Sequence, residues 1–287
     1  MDLLEAMRPR QWSKNVFVFA GIVFAGRLFE ARAELRVIAV FFVFCAAASS
    51  VYLANDVADR ASDAHHPEKK LRAIASGRVS RRAASVSSAV LAIAALAGAA
   101  LLNLGTLAIM VAYLGSTVAY SLGLKRVFLL DVMIVALGFV LRAAVGAAVI
   151  DAEISPWLLV CSFLLALFLA LGKRRAELVL LGEAASNHRP ALGEYSLPLV
   201  DSCLTALSGA AIVSYALYTQ SPRTVEHFGT TSLLYTVPFV IYALFRYQHH
   251  VMRLDAGGDP GSLLVQDRGL WLSLLGWAIT AAVVIYR

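Results

Sequence analysis

The sequence predicts an all-α, polytopic membrane protein, a bundle of nine transmembrane helices with long cytoplasmic loops. The first observation is composition: 60% of the 287 residues are hydrophobic and 15% are charged, whereas soluble domains are roughly 45–50% apolar and about 25% charged. The second is a set of apolar runs, such as residues 35–54, that reach the roughly 20 residues a membrane-spanning helix needs. The third is that most runs lack a polar face at helical period, which disfavours a soluble helical core. The short alternating segments of a β-barrel are also missing from the sequence.

Nine apolar segments are predicted to cross the membrane, and they make the whole chain, 1–287, a single membrane domain. They lie near residues 11–30, 35–54, 83–102, 105–123, 127–150, 156–171, 197–219, 231–246 and 269–286. The first segment could pass for a signal peptide, but residues 27–30 do not form a small-x-small cleavage region, so we predict an uncleaved span. Three cysteines fall inside predicted spans and form no CxxC pattern: Cys45, Cys161 and Cys203. We therefore interpret them as small hydrophobic side chains buried in the bundle.

The distribution of Lys and Arg predicts the orientation. With the N-terminus in the cytoplasm, 19 of the 25 basic residues fall in inside segments, five fall outside and Arg142 lies within a span. The positive-inside rule therefore predicts a multi-pass protein of the inner (plasma) membrane with a cytoplasmic N-terminus. The predicted cytoplasmic loops lie near residues 55–82, 124–127, 172–196 and 246–268. Anionic headgroups and anionic substrates account for the net charge of +6 without a nucleic-acid partner.

The first long loop contains an unusual acidic cluster, within "YLANDVADRASDAHHPEKKLRAIASGRVS" at residues 52–80. Asn55, Asp59 and Asp63 are spaced i, i+4 and i+8. If the second span continues as a helix, these three side chains share one face, with Asp56 close to the same side. Carboxylates this close together repel one another unless a cation lies between them.

Oxygen ligands of this kind favour Mg²⁺, which binds one or two carboxylates and completes its shell with water and substrate phosphates. An EF-hand is excluded because the D-x-D-x-D spacing and central glycine are missing. Zinc is disfavoured because His65 and His66 are adjacent and would diverge on a helix. The alternative reading is a solvated helix end with acids that bind nothing.

Basic residues follow the acids within the same loop: Lys69, Lys70, Arg72 and Arg78. Acids that hold a cation, followed by bases that hold phosphate oxygens, predict a diphosphate-binding site. Arg81 and Arg82, just before the third span, are interpreted as ordinary positive-inside residues.

The stretch "NDVADRASD" resembles the first Asp-rich motif, NDxxDxxxD, of the UbiA superfamily of intramembrane prenyltransferases, and the nine-span layout is similar as well. "RPRQWSKN", "HHPEKKLRAIASG", "YSLGLKRVFLLDVMIVALGFVLRAAVGAA" and "GKRRAEL" narrow the resemblance to the decaprenyl-phosphate phosphoribosyltransferases of that superfamily. The resemblance covers nearly the full chain. It implies a UbiA-type bundle with cytoplasmic catalytic loops, and metal ligands at Asn55, Asp56, Asp59 and Asp63.

The activity that the resemblance implies is Mg²⁺-dependent transfer of 5-phosphoribose from phosphoribosyl diphosphate to a polyprenyl (decaprenyl-type) phosphate, with release of diphosphate. Such a reaction is an early step in making lipid-linked pentose donors for the cell envelope. The lipid phosphate is already largely ionised near neutral pH because its second pKa is about 6, so no general base is required. Asp59, Asp63 and Arg174 are the expected catalytic residues.

One departure from the superfamily pattern supports this narrower reading. Prenyltransferases of the superfamily carry a second motif, DxxxD, after the sixth span, where this chain has "GKRRAELVLLGE" with Lys173, Arg174, Arg175 and Glu177. A site for a sugar phosphate and a lipid phosphate needs positive charge more than a second metal cage. The alternative is that these bases merely anchor the sixth span at the membrane surface.

Weaker candidates for substrate binding lie elsewhere in the chain. They are Lys14 and Asn15 at the start of the first span, Arg142 inside a span, and Tyr120 and Lys125 beside Asp131 at the inside ends of spans four and five. An intramembrane charge such as Arg142 is a functional hypothesis by default, with pairing to Asp131 as the structural alternative. The last inside loop, with Asp255, Gln266, Asp267 and Arg268, is a possible lid without assigned roles.

Two other functions remain open on the sequence. A prenyltransferase that moves a polyprenyl group from its diphosphate to an aromatic acceptor shares the fold and the first motif, although the missing DxxxD counts against it. An anion transporter is disfavoured because internal repeats and midplane helix breaks are absent from the sequence pattern. The sequence leaves the oligomeric state open, with a homo-oligomer as one option.

Overall fold

The computed structural model describes residues 1–64, 69–182, 190–253, 263 and 266–286. Every regular element among them is a helix. The α-helices are α1 (Asp2–Ala6), α2 (Phe19–Phe24), α3 (Ala31–Ala58), α4 (Arg60–Asp63), α5 (Arg81–Leu102), α6 (Leu104–Leu122), α7 (Leu130–Ala148), α8 (Pro156–Leu181), α9 (Leu197–Gln220), α10 (Pro222–Phe228), α11 (Val237–Arg253) and α12 (Arg268–Tyr286). Short 3₁₀ helices cover Pro9–Val18, Lys69–Leu71, Leu124–Arg126, Pro190–Glu194 and Ser232–Thr236.

Seven of the described helices are long and apolar enough to cross a membrane: α3, α5, α6, α7, α8, α9 and α12. An eighth span results if α10 and the helical segment Ser232–Arg253 are counted together, although they are bent by 100°. Large apolar side chains such as Val86, Val90 and Ile93 of α5 are exposed, as expected of helices that face lipid. The all-α membrane class is confirmed, and the predicted count of nine spans is not.

The first predicted span, 11–30, does not form one long helix. Its residues fold as the 3₁₀ helix Pro9–Val18 followed by the six-residue α2. The backbone of this segment packs very closely against the end of α7: a Cβ atom on Gly146 would lie 1.8 Å from the Val18 carbonyl oxygen, and one on Gly21 would lie 2.2 Å from the Ala147 nitrogen. Glycine at both contacts allows an approach that any side chain would prevent.

The described residues group into two compact units. The first comprises Met1–Leu122 and Gly138–Ile154, and the second comprises Gly123–Leu137 and Ser155–Arg287. The division falls within α7, whose first residues belong to the second unit. Neither unit is a continuous stretch of sequence, so each core joins segments that are distant along the chain.

Each unit has its own apolar core. In the first unit, Val37 and Phe44 of α3 pack with Ala95 of α5, Met110 of α6 and Val145 of α7. In the second unit, the core includes one or more buried residues from each of four helices: Phe168 and Leu171 of α8, Leu204 of α9, Leu244 of α11 and Leu270 of α12. Both cores are apolar, and charged side chains with buried positions therefore require specific partners.

Candidate functional site

The acidic motif of the first unit begins on α3 but does not continue on one helix. α3 ends at Ala58, and Asp59 joins it to the four-residue α4 with φ −88° and ψ 2°, a sparsely populated backbone region in which active-site residues are often found. The Asp59 N–H donates to the Asn55 carbonyl (2.8 Å), and the Asp63 N–H donates to the Asp59 carbonyl (2.9 Å). The helix is therefore interrupted at the single residue Asp59, while i→i−4 hydrogen bonds connect Asn55 to Asp59 and Asp59 to Asp63.

Asp56 and Asp63 are the two buried acids of the motif, each 4% exposed. One nitrogen of Arg72, Nη1, donates to both carboxylates, at 2.7 Å from Asp63 Oδ2 and 3.3 Å from Asp56 Oδ1. A second arginine, Arg8, also donates to Asp56 Oδ1 and lies 5.0 Å from the centre of the Tyr52 ring. The acids are therefore held close together by arginine, as their mutual repulsion requires.

Asn55 and Asp59 are half-buried at the same turn. The side-chain oxygen of Asn55 accepts a hydrogen bond from Ser121 Oγ of α6 at 2.6 Å, a contact that sequence reasoning missed because the two residues are 66 positions apart. Nothing in the local pattern around Ser121 distinguishes it from other serines in the spans.

The fit of a divalent cation can be tested on this arrangement. The donors are all oxygen atoms, which suits Mg²⁺, and Nη1 of Arg72 shows that positive charge is accommodated beside both Asp56 and Asp63. Among the described residues, however, no three His, Cys, Asp or Glu side chains are already gathered around one point. The residue types therefore fit a magnesium ion. Arg72 already provides positive charge beside Asp56 and Asp63.

The basic residues of the loop separate into different environments. Lys70 is exposed in the 3₁₀ helix Lys69–Leu71. Arg78 lies apart from the acidic turn and donates to the carboxylates of Asp2 and Glu5 on α1 and to the Leu71 carbonyl. These contacts raise the pKa of Arg78 and lower the pKa of Glu5. Arg72 is thus brought to the motif, whereas Arg78 is already paired with α1.

Arg142 and Asn15, two weaker candidates, contact each other inside the first unit. Arg142 is buried and donates from Nε to Asn15 Oδ1 (2.8 Å), from Nη1 to the Gly138 carbonyl (2.7 Å) and from Nη2 to the Tyr113 hydroxyl (3.1 Å). Its guanidinium also lies 5.2 Å from the centre of the Phe44 ring. Neutral acceptors and aromatic faces therefore stabilise this intramembrane charge. Lys14, the candidate next to Asn15 in the sequence, is exposed.

The "GKRRAEL" bases of the second unit have unequal environments. Arg174 is 5% exposed and donates from Nε to Asp131 Oδ2 at 2.8 Å and from Nη1 to Glu177 Oε2. The Tyr195 hydroxyl donates to the other oxygen of Asp131 at 2.7 Å and accepts from the Leu129 N–H. Burial and the contact with Asp131 raise the pKa of Tyr195. This network of side chains gives Arg174 two anionic partners from the protein itself.

Arg175 is also buried and committed to the protein. Its Nε donates to Asp201 of α9 at 2.7 Å, and its Nη1 donates to the Val251 carbonyl at the end of α11. Lys173, by contrast, is exposed. The sequence predicted a phosphate-binding role for all three bases, and the structure divides them into one exposed lysine and two buried arginines.

The other candidates lie at helix ends. Tyr120 is half-buried in the last turn of α6, in the first unit, and Lys125 is half-buried in Leu124–Arg126, in the second. Of the last loop, Asp255 is outside the described residues. Asp267 is buried, pairs with Arg246 and His250, and accepts the Leu270 N–H at the start of α12.

The fold and the motif at the turn after α3 define a class of intramembrane transferases: the chain belongs to the UbiA prenyltransferase family, whose model matches residues 15–275. Solved structures of a UbiA homolog from Archaeoglobus fulgidus share the fold. The form bound to DMAPP and Mg²⁺ matches with a TM-score of 0.71 and 18% identity, covering 100% of this chain and 97% of that one. The form bound to GPP and Mg²⁺ gives a TM-score of 0.70, 19% identity and the same coverage.

More similar relatives share a narrower name. A decaprenyl-phosphate phosphoribosyltransferase from Mycolicibacterium smegmatis is 34% identical over 99% of this chain and 92% of its own length. One from Mycobacterium tuberculosis (strain H37Rv) is 33% identical over 99% of this chain and 94% of its own. One from Corynebacterium glutamicum is also 33% identical, over 99% and 86%. The resemblance expected from the sequence motifs is confirmed.

Proposed function

We propose that this protein transfers 5-phosphoribose from phosphoribosyl diphosphate to a polyprenyl phosphate of the decaprenyl type, releasing diphosphate. The observation that carries the proposal is the near-full-length identity of 33–34% to relatives named for this activity. The basic "GKRRAEL" segment supports the same conclusion, because it replaces the second acidic motif expected of prenyl diphosphate enzymes. The product would feed the synthesis of lipid-linked pentose donors for the cell envelope.

We propose Mg²⁺ as the cofactor, with Asn55, Asp59 and Asp63 as the residues that would hold it. The ion would supply positive charge that stabilises the leaving diphosphate. Arg72 and Lys70 of the same loop would contact phosphate oxygens of the donor, because arginine and lysine are the usual phosphate-binding side chains. The ribose C1–O bond would break ahead of attack, with positive charge developing on the ring carbon as in other glycosyl transfers.

In the second unit we propose that Lys173 is the base that contacts a substrate phosphate. It is exposed, whereas Arg174 and Arg175 are buried. Arg174, held by Asp131 and Glu177, would contribute through its fixed position and its charge. We expect Tyr120, Lys125, Lys14 and the Asn15–Arg142 pair to line or support the same substrate-binding surfaces of their own units. The lipid phosphate would attack in its ionised form without a general base.

The proposed orientation places the N-terminus and the loops 55–82, 172–196 and 246–268 in the cytoplasm, at the inner membrane. It is supported by the excess of basic residues in those segments. A soluble phosphorylated donor would then reach the acidic turn from the cytoplasm, and the apolar tail of the acceptor would remain in lipid.

The experiment that tests the function offers purified protein two substrate pairs in the presence of Mg²⁺. The first pair is phosphoribosyl diphosphate with a polyprenyl phosphate, and the second is a polyprenyl diphosphate with 4-hydroxybenzoate. We expect a lipid-linked phosphoribose and free diphosphate from the first pair only. Prenylated 4-hydroxybenzoate from the second pair, with no product from the first, would show that the chain is an aromatic prenyltransferase instead.

A further inference from the structure

Arg72 lies between two buried acids of the first unit. Its Nη1 atom contacts both Asp63 and Asp56, and its side chain is 32% exposed. A carboxylate buried to this extent needs a positive partner to remain ionised. Arg72 therefore supplies positive charge to Asp63, a carboxylate of the proposed metal site, and to its neighbour Asp56.

The two acids are not equivalent. Asp56 has a second arginine partner, Arg8, in addition to Arg72. Among the described residues, Asp63 has its ion pair with Arg72 alone. If Arg72 moved away, Asp56 would keep a buried ion pair, whereas Asp63 would need another cation.

Arg8 contacts an aromatic ring in addition to Asp56. Its backbone adopts the left-handed conformation (φ 55°, ψ 61°) directly before Pro9, which is uncommon for a residue other than glycine. Its guanidinium also lies against the Tyr52 ring. Arg72, in contrast, lies in the loop after Lys69–Leu71 and shares one nitrogen between two acceptors.

We infer that Arg72 is an exchangeable counter-ion: its guanidinium and the divalent cation compete for the Asp63 carboxylate, and the cation displaces the guanidinium when it binds. The released guanidinium then contacts the diphosphate of the donor. Arg8 stays on Asp56, so Asp56 acts as a fixed counter-ion and not as a metal ligand, contrary to the expectation from the sequence. This inference rests on the proposed function, because it assumes a metal ion and a diphosphate substrate at this turn.

The first test measures Mn²⁺ binding to the purified protein, without substrates, by the electron paramagnetic resonance signal of free Mn²⁺. Arg72→Met removes the competing charge, so Mn²⁺ should bind roughly three- to tenfold more tightly than to wild type. Arg72→Gln, which keeps a hydrogen-bond donor without the charge, should shift the affinity in the same direction. A purely structural role for Arg72 predicts the opposite result, because disordering the acids weakens a metal site.

The matched control is Arg78→Met, which removes the same charge from the same loop at a site paired with Asp2 and Glu5. Its Mn²⁺ affinity should stay within about twofold of wild type, since exposed charges are screened. If Arg72→Met and Arg72→Gln bind Mn²⁺ no more tightly than Arg78→Met, the exchange is refuted. Weak Mn²⁺ binding by wild type together with tight binding by Arg72→Gln would support the exchange. If neither wild type nor any variant binds Mn²⁺, the exchange is refuted.

The second test separates the two acids. Asp63→Asn should weaken Mn²⁺ binding at least tenfold, whereas Asp56→Asn should change it less than about threefold. If Asp56→Asn alone impairs folding, the double variant Arg8→Gln with Asp56→Asn replaces the ion pair by a neutral hydrogen-bonded pair. Its Mn²⁺ affinity should also lie within about threefold of wild type. An equal loss at Asp56 and Asp63 would show that both are ligands. Since no phosphoribosyl transfer is measured, these results stand apart from the substrate-pair assay.

Discussion

At the scale of single residues, the charged side chains singled out from the sequence differ mainly in burial. Arg174 and Arg175 looked equivalent to Lys173 in "GKRRAEL", yet the arginines are buried against Asp131 and Asp201 while the lysine is exposed. A buried arginine with a carboxylate partner gains little free energy from a substrate phosphate unless the pair is rearranged. Residue type and spacing predicted a basic site. Burial decides which of its bases can contact a substrate phosphate.

Asp59 provides the most direct test of the acidic turn. Asp59→Asn removes one carboxylate at nearly constant shape, and Asp59 is the residue at which the chain turns between α3 and α4. Loss of a metal ligand should lower phosphoribosyl transfer by about 100-fold or more, even in saturating Mg²⁺. The measurement is the rate of lipid-linked phosphoribose formation, together with the melting temperature in detergent, which should change little.

The control for this prediction is Asp2→Asn, which removes a negative charge at an exposed position paired with Arg78. It should leave the rate within about twofold of wild type. A rate near wild type for Asp59→Asn would show that Asp59 does not hold the metal ion.

At the scale of secondary-structure elements, the contact between residues 9–24 and the end of α7 depends on glycine. Gly146→Ala would place a Cβ atom 1.8 Å from a backbone carbonyl oxygen of Val18, and the backbone cannot yield as a flexible side chain would. Overpacking of this kind costs about 1–3 kcal/mol or more. We expect a clearly lower thermal stability in detergent, measured by loss of monodisperse protein on heating.

Gly115 of α6 is the matched control, because a Cβ atom there would meet nothing within 4 Å. Gly115→Ala should leave stability unchanged or raise it by up to about 1 kcal/mol, since alanine is the better helix former. Equal stability of the two variants would contradict the close backbone packing of Gly146.

The start of α12 gives a prediction about pH. Asp267 binds Arg246 and His250 and accepts the Leu270 N–H, and these hydrogen bonds, with Arg246 the largest contributor, lower the pKa of Asp267 well below its ordinary value. A carboxylate whose pKa is depressed in the folded state stabilises it above the unfolded pKa of about 4, and this stabilisation is lost as pH falls below that value.

Asp267→Asn should therefore reduce the free energy of unfolding at pH 6. The difference between wild type and variant should shrink as pH falls below about 4, because the Asp267 carboxylate of the unfolded wild-type chain then takes up a proton, which favours unfolding. Chemical unfolding in detergent at several pH values between 3 and 6 measures this difference. A difference that is constant across that range would exclude an ionised Asp267 as its source.

At the scale of the whole molecule, the two compact units are each assembled from non-contiguous segments, and the orientation of the spans remains a prediction from basic residues. Ser76 is exposed in the predicted cytoplasmic loop 55–82, and Glu226 is exposed on α10 in a predicted outside segment. Single cysteines at these positions, in a protein whose native cysteines are replaced by alanine, report the side of the membrane.

A membrane-impermeant thiol reagent added outside intact cells should label Glu226→Cys and leave Ser76→Cys unlabelled. Both should react after the membrane is permeabilised, which controls for accessibility. The reverse labelling pattern would invert the orientation and would place the acidic turn on the side away from a cytoplasmic phosphorylated donor.

The sequence alone determined the chemical class of this protein. Hydropathy identified a helical membrane protein because the hydrophobic requirement for crossing lipid applies to each segment separately. Local motifs identified the family, since NDxxDxxxD and "GKRRAEL" are short and contiguous. The number of spans was less predictable. Residues 11–30 are apolar enough to span the membrane, but they fold as a 3₁₀ helix and the short α2. This conformation depends on packing against α7, which the local sequence does not show.

Only the tertiary structure decided which partner each buried charged side chain contacts. Arg142 donates to Asn15 across 127 positions of sequence, Arg8 reaches Asp56 across 48, and Arg174 reaches Asp131 across 43. The helix break at Asp59, within the acidic motif, is likewise visible only in the structure. Buried charges must find partners wherever the fold brings them, and a partner many turns away leaves no trace in the local pattern of residues.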